Sequence, residues 1–180
     1  GLDFLMKKNN ITVFNGTGSF VDKNTIAVSS NGKGDNLTSK NIIIATGSKP
    51  FALPSFNLDK DRIITSTEAL SLKKIPKKLI IVGAGVIGLE LGSVYARIGS
   101  EVSVVDYSSS ILSGMDASLG RELKKTLTRD LKFKFYLSHQ VDKITNDGKG
   151  VTLIATSNKK EEIVLKGDYC LVSIGRKPYT

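Results

Sequence analysis

Apolar and polar positions alternate at two different periods along this chain. Before residue 40 the apolar residues come in short pieces, ITVFN, GSF and TIAVSS, with NGKGDN read as a loop. Short alternating pieces between turn signals predict antiparallel strands joined as a meander. NIIIATG follows, and its consecutive Ile42, Ile43 and Ile44 predict a strand buried on both faces. SKPFALPSFNLDKD, punctuated by Pro50 and Pro54, reads as a loop. SLKKIPKK, polar and basic around Pro76, reads as a linker at a domain boundary.

From residue 79 the period changes. LIIV predicts a buried strand, residues 86–98 a helix closed by Gly99, and EVSVVDY the next strand. Residues 118–130 predict an amphipathic helix with Leu119, Leu123 and Leu127 four apart, followed by the strand FKFYL. QVDKITN, GVTLIATS and EEIVLKG then predict three short strands separated by NDGKG and SNKK turns, and the chain ends on YCLVSIGRKPYT. NIIIATGSKP aligns with YCLVSIGRKP: an apolar triplet, a small residue, any residue, Gly, any residue, Lys, Pro. Duplication of a unit suggests two similar dinucleotide-type domains, one complete and one present as its second half.

Composition narrows the functional classes. With 180 residues there is room for one large or two small domains, and 40% hydrophobic with 24% charged residues is ordinary for a soluble globular protein. No apolar run approaches the roughly 18 residues that span a bilayer. The opening GLDFLMKKNN lacks the ordered regions of a signal peptide and reads as if cut from a longer sequence. A single cysteine, Cys170, rules out an internal disulfide within these residues and reads as core. His139 has no second His and no Cys near it, so no zinc site is expected. The net charge of +9 comes from scattered lysine pairs that do not interleave with aromatics, which reads as a solvated surface rather than a nucleic-acid site.

The candidate chemistry sits in LIIVGAGVIGLELGS. Gly83, Gly85 and Gly88 stand in G-x-G-x-x-G spacing, a weak signal until its setting is added. The motif follows a predicted strand and opens a predicted helix, as a dinucleotide fingerprint requires. Gly83 then supplies the tight turn, Gly85 lets backbone approach a pyrophosphate, and Gly88 lets the helix sit close to the strand. Gly88, Gly92 and Ala96 make a stripe of small residues for that packing. A pyrophosphate would rest on the free N–H groups at the helix start, with no basic side chain needed. The second part of the fingerprint is an acid at the end of the next strand, and Asp106 supplies it. Its carboxylate suits ribose hydroxyls and repels a 2′-phosphate, by roughly 4 kcal/mol at 4 Å and an effective dielectric of 20. The reading is therefore NAD(H), not NADP(H). Glu90 has two open readings, a helix-surface acid or a contact to the nicotinamide end.

GAGVIGLELGSVYARIGSEVSVVDY, ATGSKP, STEAL and SIGRKPYT, in this order, resemble the dihydrolipoamide dehydrogenases of the flavoprotein disulfide reductase family. Glutathione reductases of the same family usually carry Ala at the place of Gly88 and arginines after the second strand; this chain has neither. The resemblance implies an α/β, Rossmann-like FAD/NAD-linked reductase fold: a parallel sheet with helices on one face and a three-stranded antiparallel meander on the other. It implies a partial FAD-binding domain over residues 1–72 and an NAD-binding domain over 73–180. By resemblance, Gly83, Ala84, Gly85, Val86, Ile87, Gly88, Leu89, Glu90 and Asp106 hold NAD. Val141 lies by the adenine and Gly175 closes the site, while Gly18, Thr46, Gly47 and Ser48 touch FAD. Val86 stands where some relatives place a gating tyrosine. Asp106 replaces a more usual Glu, and Ser113 stands where Pro is common.

The family's parent enzymes oxidise dihydrolipoamide, carried on lipoyl domains of 2-oxo acid dehydrogenase or glycine cleavage complexes. They use NAD+, through FAD and a redox disulfide, and form homodimers. The family's FAD fingerprint, C-x-x-x-x-C disulfide, A-x-G-D motif and dimerisation domain with its His-Glu pair are not in this sequence, and His139 is not that histidine. The resemblance thus implies a piece without catalytic competence, binding NAD but purifying without flavin, and no nucleic-acid or membrane partner. It implies a cytoplasmic parent if bacterial and a mitochondrial matrix parent if eukaryotic. Rival readings are another NAD-dependent relative, mercuric reductase-like or NADH oxidase-like, and a non-catalytic NAD-sensing module.

Overall fold

The computed structural model describes residues 1–30 and 33–180, and their backbone divides into two compact units, Gly1–Thr46 and Gly47–Thr180. In the first unit, helix α1 (Leu2–Lys8) precedes strands β1 (Thr17–Phe20), β2 (Thr25–Ser30) and β3 (Lys33–Thr38). These three form an antiparallel meander with Gly18 opposite Val28 and Ala27 opposite Asn36. The loop expected at NGKGDN lies outside the described residues at Asn31 and Gly32, and its remainder, from Lys33 to Asn36, belongs to β3. From residue 34 to 38 only Leu37 is even partly buried, so β3 carries no apolar pattern to betray it.

Two expected strands in this unit do not form. ITVFN and NIIIATG have no strand hydrogen bonds, and none of the described strands pairs with either segment. The doubly buried strand expected of Ile42, Ile43 and Ile44 does not form: Ile43 is 89% and Ile44 64% exposed, and Ile42 is half-buried. An apolar run becomes a strand only where a neighbour takes its N–H and C=O groups, and these residues have none.

The second unit is built on a five-stranded sheet. In chain order it contains β4 (Ser48–Pro50), a 3-10 turn at Pro54–Phe56, β5 (Ile63–Ile64), α2 (Ser66–Ala69), β6 (Lys78–Val82), α3 (Val86–Arg97) and β7 (Glu101–Asp106). There follow α4 (Ala117–Leu131), β8 (Lys134–Leu137), β9 (His139–Asn146), β10 (Val151–Ser157), β11 (Glu162–Gly167), β12 (Tyr169–Val172) and β13 (Arg176–Pro178). The sheet order is β5-β12-β6-β7-β8, and every pair is parallel. Residues 48–72, grouped by sequence with the first segment, pack here, since Ile63 and Ile64 pair with Cys170 and Leu171.

Strand periodicity sorts the core into two layers. Ile81, Val104 and Leu171 face α2, α3 and α4, with Leu89, Tyr95 and Leu127 packed on them. Ile80, Val82, Val105 and Cys170 face the antiparallel meander β9-β10-β11, where Ile144, Leu153 and Ala155 meet them. The expected fold, helices on one face and a three-stranded meander on the other, is the one observed. Each fully buried Ile or Leu here is worth about 1.5–3 kcal/mol over exposure.

The two longer helices begin and end close to where the pattern places them. α3 closes at Ile98, with Gly99 at φ +111 beyond it. α4 starts on Asp116, whose side chain accepts from the Ser118 N–H at 2.7 Å, a cap that satisfies one of the helix's free donors. Leu123 and Leu127 face the core, but Leu119 is 64% exposed. Positions four apart advance by about 40° around a helix, so a run of three drifts by about 80° and one end leaves the buried face.

The internal repeat reappears as a pair. β4, from the first copy, runs antiparallel to β13, from the second, with Lys49 opposite Lys177. The Phe51 N–H donates to the Gly175 carbonyl, and the Tyr179 N–H donates to the Gly47 carbonyl, each at 3.0 Å. Residues four beyond each glycine thus bond the other copy's glycine, as a local two-fold would arrange them.

Candidate functional site

The chain runs from β6 to β7 to β8 on one side, then returns to β12 on the other side of β6. Strand order therefore reverses at β6, and open α/β sheets bind ligands at the carboxyl ends of strands at such a point. A cleft of about 880 Å³ lies there.

The loop from β6 to α3 forms its floor. Gly83 has φ +105, and a Cβ at that residue would stand 2.5 Å from the Ser173 carbonyl oxygen, so the turn admits only glycine. At Gly88 a Cβ would meet the Ser173 Oγ at 2.5 Å and Ile81 Cγ2 at 3.0 Å, which brings α3 down onto the sheet. Ser173 Oγ donates to the carbonyls of Val82, at 3.1 Å, and Gly83, at 3.3 Å, and ties the end of β12 to the loop. Gly85 differs from both: a Cβ there meets nothing within 4 Å, which leaves a hollow at the helix start. α3 begins on Gly85 with no side-chain cap and no acid in its first turn. Its leading N–H groups thus keep their positive field for an anion. The hollow and the uncapped donors fit a pyrophosphate.

Asp106 ends β7 beside this loop. One carboxylate oxygen accepts from the Ala84 N–H at 2.5 Å and the other from the Ser108 N–H at 2.6 Å. The acid therefore braces the glycine loop, and since a carboxylate offers about four acceptor sites, capacity is left for ribose hydroxyls. Arg176 is the one cation lining the cleft among the described residues, and its guanidinium already holds Ser48, through Nε to Oγ at 2.7 Å and Nη2 to the carbonyl at 2.5 Å. Among the described residues no other lysine or arginine lines the cleft to receive a 2′-phosphate at the Asp106 end.

Of the residues expected to hold a dinucleotide, Gly83, Gly85, Val86, Ile87, Asp106, Val141 and Gly175 line this one cleft. Ala84, Gly88 and Leu89 are buried and do not line it. Glu90 is exposed and lines a neighbouring apolar cleft of about 850 Å³, which shares Ser66, Val86 and Ile87 with the first. The expected flavin contacts Gly18 and Thr46 belong to the first unit, and Gly47 and Ser48 to the second. All four are exposed, and Ser48 is occupied by Arg176.

Cys170 lies in β12 between β5 and β6, and burial, with Asp59 adding to it, pushes its thiol up to about 12. A thiol that stays protonated at neutral pH is no redox nucleophile. Among the described residues no group of His, Cys, Asp and Glu is arranged to hold a metal, and no helix is long and apolar enough to cross a membrane. His139 lines the cleft with its Nδ1 2.7 Å from the Leu137 carbonyl. Sequence reasoning passed over Ser173 and Arg176, although both sit in the repeated turn SIGRKP; the small residue and the variable residue of that repeat were the available signal.

Comparison with known proteins shows the family of the chain. The family model described as pyridine nucleotide-disulphide oxidoreductase matches residues 1–180. A mitochondrial dihydrolipoyl dehydrogenase of Arabidopsis thaliana is 40% identical over 182 residues, and the dihydrolipoamide dehydrogenase of Chaetomium thermophilum is 43% identical over 183. All of this chain is covered in both matches, and it spans 36% of each relative's length. A leghemoglobin reductase of Glycine max is 42% identical, again over the whole chain and 35% of its own length. Among solved structures, LpdA of Mycobacterium tuberculosis superposes with a TM-score of 0.83 at 25% identity, over 99% of this chain and 39% of that one. The HOCl-induced flavoprotein disulfide reductase RclA of Escherichia coli gives 0.75 at 28%, over 99% and 41%. Matched over its whole length and similar throughout to dihydrolipoyl dehydrogenases, the chain belongs to the pyridine nucleotide-disulphide oxidoreductase family.

Proposed function

We propose that this chain is the NAD-binding part of a dihydrolipoyl dehydrogenase, with a strip of the FAD-binding domain attached. In this reading residues 73–180 bind NAD and residues 1–72 contribute to the flavin domain. The observation that carries it is the cleft at the strand reversal, where the Gly85 hollow, the uncapped start of α3 and Asp106 stand together. NAD+ would supply a hydride acceptor there. The leading N–H groups of α3 would hold the pyrophosphate, Asp106 the adenosine ribose, and Val141 would flank the adenine. Gly175, where Phe51 N–H fixes the carbonyl, would close the site.

Dihydrolipoamide as the substrate of the whole protein rests on the relatives at 40–43% identity that are described as dihydrolipoyl or dihydrolipoamide dehydrogenases. On that basis the whole protein oxidises dihydrolipoamide with NAD+ through FAD and a redox disulfide, as a homodimer serving 2-oxo acid dehydrogenase or glycine cleavage complexes. The plant relatives described as mitochondrial support a matrix location if the source is eukaryotic, and a bacterial source implies the cytoplasm. This chain alone binds NAD without catalysing turnover.

Calorimetric titration tests the cofactor reading. NADH is expected to bind more tightly than NADPH, and Asp106→Ala to weaken NADH by about tenfold or more, the worth of a hydrogen bond to a charged group, while changing NADPH less. Equal losses for the two would defeat the ribose assignment. The purified chain is expected to be colourless; a stoichiometric flavin spectrum would contradict the account of residues 1–72.

A further inference from the structure

We infer that Asp142 selects the base of the bound nucleotide, taking adenine by its exocyclic amine; this rests on the NAD reading above. The cleft does not end at the Asp106 strand. Tyr107, Ser108, Gln140 and Asp142 also line a third cavity, of about 570 Å³, completed by hydroxyl and amide side chains that include Thr156 and Asn158. Among the described residues no lysine or arginine lines it. A dinucleotide with its pyrophosphate on α3 and its ribose at Asp106 carries its base along the wall that the two cavities share.

The backbone explains how a carboxylate comes to stand there. In the β9–β10 ladder Lys143 pairs with Ile154, but Val141, not Asp142, pairs with Ala155. Asp142 is the extra residue of a β-bulge. Strand residues alternate faces, so without the bulge Asp142 would share the face of Ile144, which is buried in the core. The bulge turns Val141 inward in its place and leaves Asp142 exposed at the cavity. Bulges beside binding sites re-aim side chains in this way. Thr156, one residue beyond the bulge on β10, then fixes the carboxylate by donating from Oγ1 to Oδ2 at 2.6 Å.

A carboxylate only accepts hydrogen bonds. Adenine presents an amine, a donor, on its six-position, where hypoxanthine presents a carbonyl. Hypoxanthine also carries a proton on N1, where adenine has an acceptor, but at the six-position two acceptors facing each other repel, so a carboxylate placed there favours the purine that bears the amine. The cavity's lack of cations suits a neutral base and no phosphate.

Calorimetry with NADH and with reduced nicotinamide hypoxanthine dinucleotide tests this on the 180-residue chain. The wild type is expected to prefer NADH by about tenfold, the scale of one charge-assisted hydrogen bond. Asp142→Asn keeps the shape, and its amide can serve either base, so the preference is expected to fall to near one with NADH binding retained. Thr156→Val, which frees the carboxylate, is expected to give an intermediate ratio. A wild-type ratio near one, or an undiminished ratio in Asp142→Asn, overturns the inference while leaving the cofactor reading intact. Failure of the wild type to bind either dinucleotide overturns the cofactor reading, and the inference with it.

Discussion

In residues 169–178 the apolar triplet Cys170-Leu171-Val172 lies within β12, between β5 and β6, and is almost wholly buried; in residues 41–50 the matching triplet leaves Ile43 89% exposed and forms no strand. The glycine turns of the two copies nevertheless agree. Gly47 and Gly175 both have positive φ, and each carbonyl accepts from the residue four beyond the other. A turn is specified locally, by a residue that tolerates the left-handed region. A strand is specified by its neighbours, because its hydrogen bonds all leave the segment. The same ten-residue pattern therefore writes its turn twice and its strand once.

Core truncation should separate the two copies most widely. Leu171→Ala removes a side chain with no exposure and is expected to cost about 2–5 kcal/mol in urea unfolding. Ile43→Ala is expected to stay within about 0.5 kcal/mol, as for surface changes in general. Similar losses at both would mean that 41–44 packs as 170–172 does. The turns should behave alike where the strands do not. Gly175→Ala and Gly47→Ala place a side chain at φ +140 and +80, and each is expected to cost about 1–2 kcal/mol. A silent substitution at either glycine would break the equivalence of the turns.

The smallest effect concerns the neighbour that the first copy lacks. Asp59 leads the chain into β5 by accepting N–H groups from Asp61, Arg62 and Ile63, together with the Asn146 side chain. Burial pushes its carboxyl up, but these hydrogen bonds outweigh that and hold it below its ordinary value of 3.8. A depressed folded value stabilises fully above the unfolded value and is lost as pH falls through the folded one. Stability measured from pH 7 down to pH 3 should therefore fall more steeply in the wild type than in Asp59→Asn. Parallel profiles would remove Asp59 from the account of β5.

What could be read from the chain follows the same division. The run from β6 through the glycine loop and α3 to Asp106 was legible, because its strand, turn, helix and acid occupy about 30 consecutive residues with fixed spacing. The meander β9-β10-β11 was legible from its alternation. The strands expected at ITVFN and NIIIATG were not formed, since an apolar run does not say what lies beside it. β3 was missed for the opposite reason: it is a strand by pairing and nearly polar by sequence. Within the site, Gly83, Gly85 and Asp106 announced themselves. Ser173 joins through a bond between residues 90 or more apart, and Asp142 through a bulge, and neither leaves a periodic trace.

The central claim is that the hollow at Gly85 receives a pyrophosphate, and a single substitution addresses it directly. Gly85 has φ −82, which any residue adopts, and a Cβ there touches nothing in the protein. Gly85→Ala should therefore leave thermal stability nearly unchanged while filling space that the account reserves for the cofactor. Calorimetric titration with NADH is expected to show affinity weakened by about tenfold or more, a cost of about 1.4 kcal/mol or more. Undiminished NADH binding by a folded Gly85→Ala chain would contradict the assignment of this cleft.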